Sequence, residues 1–171
     1  MKVHLKLTSS LLREIQSDLR RPHPVAFERV GFLACRGGWT DDGGVVLIAR
    51  QFLPVDDVEY AEDEHVGARI TAQAVRFALQ HAYHEPDCML FVHEHAHTGE
   101  PRPSRVDSDC WRELVPNFWH VRPSLPHGAL ILSEDSAFGI LWVPAVRQPA
   151  LITDFTIVSW PLQRWTSEAS R

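Results

Sequence analysis

The residues best suited to bind a metal ion or to act in catalysis are three alternating histidines, His93, His95 and His97, which follow an apolar run. A loop containing Gly and Pro comes next, and Ser104 and Asp107 follow it. In a β-strand, residues two apart point to the same face, so consecutive histidines would present two imidazoles to one point. Asp107 can return a carboxylate to that point after the loop. Two imidazoles and one carboxylate suit a zinc ion that keeps its fourth position open for water, which is typical of a catalytic site.

A hydrolytic zinc site also needs a carboxylate that is not a ligand, to accept a proton and pass it on. Glu28 is the candidate, because it lies just before a predicted strand, where a carboxylate can project over the sheet edge. Ser104 is the candidate donor of a hydrogen bond to an oxyanion. The pattern Ser-x-x-Asp at Ser104 is also typical of a helix N-cap, and the two roles are compatible.

The elements that must position these residues follow from hydrophobic periodicity and turn residues. The pattern predicts a mixed sheet with helices packed on it, an α/β domain. Acidic residues crowd segment 56–64, which we expect to be a solvated loop. In chain order, the predicted elements are an N-terminal strand, a helix near 8–20, a strand pair at 29–35 and 44–54, a helix near 67–84, a strand at 88–97, a helix from 104 toward 115, and a meander of strands at 129–133, 138–143 and 154–160.

Composition and length exclude several classes of protein. The chain has 171 residues without repeats or long linkers, so we expect a single domain over residues 1–171. Its net charge of −5 disfavours a nucleic-acid partner, since such domains carry a basic face. The longest apolar runs, at 45–48 and 129–132, are too short to span a bilayer, and the N-terminus lacks the apolar core of a signal peptide. We therefore expect a cytoplasmic protein without a membrane partner.

The motif His-x-His, then Pro-Ser-x-x-Asp, with an upstream Pro-x-x-x-Glu-x-x-Gly-Phe-Leu segment, resembles the signature of the JAMM (JAB/MPN) metalloproteases. The compact prokaryotic JAB-type group is the nearest form, and the strong part of the resemblance covers residues 24–33 and 90–107. The resemblance implies the MPN/JAB fold, a cytidine-deaminase-like domain with a mixed β-sheet flanked by helices. It also implies a zinc-dependent, deubiquitinase-like isopeptidase that cleaves after the C-terminal glycine of a ubiquitin-like protein. Bacterial relatives work beside ubiquitin-like modifiers and adenylylating activating enzymes, some in antiphage systems, which makes those proteins the implied partners.

The resemblance implies His95, His97 and Asp107 as zinc ligands, with His93 as the alternate first ligand. The small Ala96 between His95 and His97 favours that pair, whereas the position of His93 directly after the apolar run favours His93 with His95. Relative to the family spacing, the loop to Asp107 is one residue short for the first pair and one long for the second. The proline that usually follows the second histidine is absent. Glu28 and Ser104 take the catalytic roles of general base and oxyanion donor.

The sequence is also compatible with two other functions. One is a catalytically inactive MPN scaffold that binds partner proteins, which the presence of Glu28, Asp107 and two usable histidines disfavours. The other is a zinc hydrolase of a small molecule or nucleotide, which a closed, narrow pocket beside the metal would favour over an open groove.

Overall fold

The computed structural model describes residues 1–144, 146 and 149–167. Within that part of the chain, nine strands form one mixed sheet, two short strands form a hairpin, and three α-helices pack on the sheet. The elements are β1 (Val3–Thr8), α1 (Ser9–Leu19), β2 (Val30–Trp39), β3 (Val45–Pro54), a 3-10 turn (Asp57–Glu59), β4 (Tyr60–Ala61), β5 (Arg69–Ile70), α2 (Ala72–His84), β6 (Cys88–Glu94), α3 (Arg105–Trp119), β7 (His127–Leu132), β8 (Ala137–Trp142), β9 (Ala150–Leu151), β10 (Asp154–Val158) and β11 (Gln163–Thr166).

Strand β6 lies in the middle of the large sheet, whose order is β11-β10-β1-β3-β2-β6-β7-β8-β9. It pairs antiparallel with β2 and parallel with β7. Its residues from Cys88 to His93 are all buried, as expected for a strand that is covered on both faces. The strand that carries the candidate ligands is therefore held on both sides and both faces.

Alternation along β6 divides the core between the two faces of the sheet. Leu90 and Val92 pack in the cluster that includes α1, whereas Met89 and Phe91 pack in the cluster that includes α2 and α3. Because His93 continues the second set, its side chain points toward the face that α3 covers. The fold therefore directs the strand end toward the N-terminus of α3.

The α/β class predicted from the sequence is confirmed, and most predicted elements are present with shifted ends. The helix predicted from residue 67 begins only at Ala72, because the Thr71 hydroxyl caps it and residues before it form the β4–β5 hairpin. That hairpin also replaces part of the predicted acidic loop. The predicted meander is wrong for its last strand, since β10 crosses to the other half of the sheet and pairs parallel with β1. No helix of the described residues is long and apolar enough to cross a membrane.

Strand β7 contains a buried histidine, His127, whose two ring nitrogens both have backbone partners. The Met89 N–H donates to Nδ1 of His127 over 3.0 Å, so the ring proton lies on Nε2, which faces the Arg122 carbonyl at 3.2 Å. Burial lowers the pKa of His127 to about 4, because the charged imidazolium would lose its hydration.

We predict that the free energy of unfolding falls as the pH is lowered from about 6.5 toward 4. The unfolded chain, in which histidine titrates near about 6.5, takes up a proton that the folded protein resists, so acid favours unfolding over this window. His127→Gln should be less stable than the parent protein at neutral pH. Because glutamine does not titrate, the loss of unfolding free energy between about pH 6.5 and 4 should be smaller in the variant, by on the order of 1–2 kcal/mol. Denaturant unfolding at several pH values, with a chelator present, measures this. An unchanged pH dependence in the variant would contradict the role given to His127.

Candidate metal centre

Three side chains at the end of β6 and the start of α3 converge on one point. His93, His95 and Asp107 each offer one ligand atom, and these atoms all lie within 4.8 Å of one another. The two Nε2 atoms of the histidines are 3.2 Å apart, and Nε2 of His93 is 3.4 Å from Oδ1 of Asp107. Ligands about 2.0–2.1 Å from a tetrahedral metal ion are separated from each other by about 3.3 Å. The group therefore has the donors and the spacing to bind a metal ion.

The pairing of β2 with β6 brings Glu28 to this group. Val30, the first residue of β2, pairs with His93 in the antiparallel register, so continuing the register places Glu28 opposite His95. The chain past β6 is also held, because the His95 N–H donates to the Leu132 carbonyl over 2.9 Å and extends the contact with β7. Just beyond the paired ends of the two strands, Glu28 and His95 line one cleft and interact electrostatically.

The first turn of α3 fixes the Asp107 carboxylate. The Ser104 N–H donates to Oδ2 of Asp107 over 2.7 Å, and the Asp107 N–H donates to the Ser104 hydroxyl oxygen over 3.1 Å. This is a complete capping box, as the Ser-x-x-Asp pattern predicts. Since Oδ2 is occupied by the cap, Oδ1 is the oxygen that faces His93. The start of the helix therefore orients the carboxylate.

The loop between the histidines and α3 is tied to the turn that follows β7. Gly99 has a φ of +85°, in the left-handed region that favours glycine. Its N–H donates to Oδ1 of Asp135 over 2.7 Å, and its carbonyl accepts the Ser133 hydroxyl over 2.7 Å. These bonds define how the chain returns toward the strand end.

Glu94, between His93 and His95 in the sequence, holds the strand end from the opposite face. Its two carboxylate oxygens accept Nε and a terminal N–H of Arg20 over 2.8 and 2.6 Å, and the Gln16 amide donates to it over 3.1 Å. The Glu94 side chain is 4% exposed, so this forked pair is shielded on the carboxylate side. It joins α1 to the segment that carries both imidazoles.

The electrostatic environment suits both metal binding and proton transfer. Burial, together with the neighbouring His95, lowers the pKa of His93 to about 4, and the Asp107 charge opposes this only in part. His93 is thus neutral at physiological pH, the form that binds metals. The pKa of Glu28 is raised, mainly by burial and further by Asp107, whereas His95 lowers it. A carboxylate with a raised pKa is better suited to take and return a proton.

His97 lies outside the group, although the sequence favoured it as a ligand. β6 ends at Glu94, and the His97 N–H donates to the His95 carbonyl over 2.8 Å in a turn, so the alternation of the strand does not continue to His97. The side chain is exposed, with its Nδ1 atom 2.8 Å from the Thr98 carbonyl oxygen. The structure instead brings His93, the alternate ligand, to His95 and Asp107.

Three depressions surround the group. A narrow cavity of about 50 Å³ is lined by Glu28, Gly67, His93 and Asp107, among others. It shares lining residues with an apolar groove of about 560 Å³, which we define by Val66, Ala68, Ile70, Phe91, Val106 and Leu114. Glu28 also lines a polar cleft of about 630 Å³, which we define by Arg20, Arg21, His23, Phe27, Glu28 and His95. The candidate metal group therefore adjoins two larger depressions.

Comparison of the chain with models of known protein families gives no match, and no curated protein is significantly similar to it. The properties of the site rest on its own residues. Sequence reasoning named Glu28, Ser104, His95 and Asp107, with His93 as the alternate ligand, but it missed Glu94, Arg20 and Gly67. The sequence could have revealed the position of Glu94, since a residue between two histidines of a strand must point away from both. Nothing in the sequence could have revealed the contacts of Arg20 and Gly67, because their partners are distant along the chain.

We predict that His93→Ala abolishes stoichiometric metal binding, whereas His97→Ala leaves it unchanged. His93 contributes a ligand atom to the group and His97 does not. Elemental analysis after purification, followed by titration of the metal-free proteins, measures both variants. Loss of the metal on substitution of His97, with retention on substitution of His93, would reverse the assignment.

Proposed function

We propose that the protein is a zinc-dependent peptidase or isopeptidase of the JAMM type, built on an MPN/JAB domain. The observation that carries the proposal is the position of Glu28. A carboxylate that is not part of the ligand group lines the same narrow cavity as His93 and Asp107 and interacts electrostatically with His95 and Asp107. A metal site that only stabilised the fold would not need this additional, half-buried acid.

His93, His95 and Asp107 would hold the zinc ion, which supplies the Lewis acidity that makes water nucleophilic near neutral pH. Glu28 takes the proton from the attacking water and passes it to the departing amine. The Ser104 hydroxyl oxygen accepts the Asp107 N–H, which leaves its O–H able to donate to the developing oxyanion. The forked Arg20–Glu94 pair keeps the two imidazoles in place while these steps occur.

The depressions beside the group support a polymeric rather than a small substrate. The apolar groove and the narrow cavity share Val66, Ala68, Phe91, Val106 and Cys110, so the groove leads directly to the group. An extended chain in the groove and across the cavity would continue into the polar cleft. Such a path suits the C-terminal tail of a ubiquitin-like protein, as precursor or as conjugate, better than a compact nucleotide.

A bacterial ubiquitin-like conjugation pathway, including one used in antiphage defence, is the setting in which we expect this activity. The direct partner is the ubiquitin-like substrate, and an adenylylating activating enzyme is expected in the same pathway. We expect the reaction to take place in the cytoplasm.

We predict that Glu28→Gln lowers kcat at least about 100-fold while the protein still binds one zinc ion, because the amide cannot accept the proton. Cleavage of a Gly-terminated ubiquitin-like protein fused to a short peptide, or conjugated to a lysine, provides the assay. Zinc content by elemental analysis is measured on the same preparations. Asp107→Asn, which preserves an oxygen for the helix cap, should instead lose both the metal and the cleavage.

Undiminished cleavage by Glu28→Gln would refute the assigned base. Iron in place of zinc would also contradict the proposal, because two histidines and one carboxylate are the ligand set of non-haem iron oxygenases as well. Purification without added metal, followed by reconstitution with each ion, distinguishes these cases.

We predict that Val106→Glu raises KM about tenfold and leaves the zinc content unchanged. Val106 is 48% exposed in the apolar groove, so a charge there removes an apolar contact for the substrate without disturbing the core. Ile48→Glu is the matched control, since Ile48 is similarly exposed but lies in β3, outside the groove. Equal effects of the two substitutions on KM would show that the groove does not bind substrate.

A further inference from the structure

The segment between β4 and β5 contacts the Glu28 side chain through a glycine. The Gly67 carbonyl accepts two hydrogen bonds, from the Phe27 N–H and from the Glu28 N–H, each over 2.9 Å. The main chain at Phe27 and Glu28 is thereby tied to the hairpin. This contact joins two loops that are distant in sequence.

The Glu28 carboxyl group occupies the space that a side chain at position 67 would need. A Cβ atom at position 67 would lie 2.6 Å from Oε2, 2.7 Å from Cδ and 3.2 Å from Cγ of Glu28. Rotation of the carboxyl group alone cannot relieve a clash that includes Cγ and Cδ. A side chain at this position therefore requires either Glu28 or the hairpin to shift, and the flexible Glu28 side chain moves at the lower cost.

The backbone of Gly67 does not itself require glycine. Its φ lies outside the left-handed region, so an alanine there is compatible with the local conformation. The nearest atoms belong to the far end of a flexible side chain on the surface of a cavity, which can move without disturbing the core. Alanine at this position should be tolerated by the fold and harmful only to the placement of the carboxylate.

We infer that Gly67 is a positioning residue, which sets the location of the Glu28 carboxylate over the metal group. This inference rests on the proposed function. Because Gly67 has no side chain, the Glu28 carboxylate has room beside it. The Gly67 carbonyl also fixes the main chain that carries Glu28. Misplacement of a reacting group by about 1 Å typically costs about 100-fold in rate, so this contact is large enough to matter for catalysis.

The test compares Gly67→Ala with Gly38→Ala. Gly38, at the end of β2, has no atom within 4 Å of an added Cβ and no left-handed φ, so its variant controls for the loss of a glycine. We expect Gly67→Ala to keep its zinc and its melting temperature within a few degrees, with kcat reduced about 10- to 100-fold and KM little changed. Gly38→Ala should match the parent protein in all four measurements. Full kcat in Gly67→Ala would overturn the inference.

A double-mutant cycle with Glu28→Asp tests whether the two residues act on each other. The shorter aspartate withdraws its carboxyl group from position 67. The fold-loss in kcat caused by Glu28→Asp should therefore be at least about threefold smaller in the Gly67→Ala background than in the parent protein. Equal fold-losses in both backgrounds would show that position 67 acts independently of Glu28, and would overturn the inference.

A crystal structure of Gly67→Ala separates this inference from the proposed function. If the parent protein cleaves no ubiquitin-like substrate, the proposed function fails, but the position of Glu28 remains measurable. We expect the Glu28 carboxyl group to move away from residue 67 by at least about 0.5 Å, with the hairpin main chain unmoved. A Glu28 side chain in its original place, with the hairpin displaced instead, would overturn the inference whatever the activity.

Discussion

Antiparallel pairing of β2 with β6 sets the geometry on which the site depends. With Val30 opposite His93, the residues just before β2 and just after β6 meet at one end of the sheet, on the face that α3 covers. The pairing is strongly specified, because β6 is buried on both faces and a slip of one residue would exchange the two core clusters. The same slip would turn His93 toward α1 and away from Asp107. Packing of apolar side chains along the strands therefore determines where the polar groups at their ends lie.

Asp107 and Glu94 show how two carboxylates of the same region take different roles. Asp107 divides its oxygens between the helix cap and the ligand group, which orients the carboxylate without a further partner. Glu94 accepts two hydrogen bonds from Arg20 and one from Gln16, so both of its oxygens are engaged away from the group. Alternation along β6 turns Glu94 away from His93, because neighbouring residues face opposite sides of the sheet, whereas Asp107 reaches the group from α3. The two carboxylates hold the ligand segment from opposite faces.

Local patterns predicted the parts of the site that depend on local structure. The apolar run of β6, the Ser104–Asp107 capping box and the location of Glu28 before a strand all follow from short stretches of sequence. The structure places His97 outside the convergent group, because a period of two holds only while the strand continues. β6 ends at Glu94, and the chain then turns through the bond from the His97 N–H to the His95 carbonyl. The β4–β5 hairpin and its glycine were missed for another reason, since their contacts with Glu28 join segments about forty residues apart.

The closed capping box has a further consequence, because it couples the first turn of α3 to the group at the end of β6. The Ser104 N–H holds Oδ2 of Asp107, while Oδ1 faces His93. Unwinding of that turn would free the carboxylate to rotate, so a substitution that weakens the start of the helix would also loosen the group. A helix cap typically contributes about 1 kcal/mol, and here the same bonds also limit the rotational freedom of one of the three converging side chains.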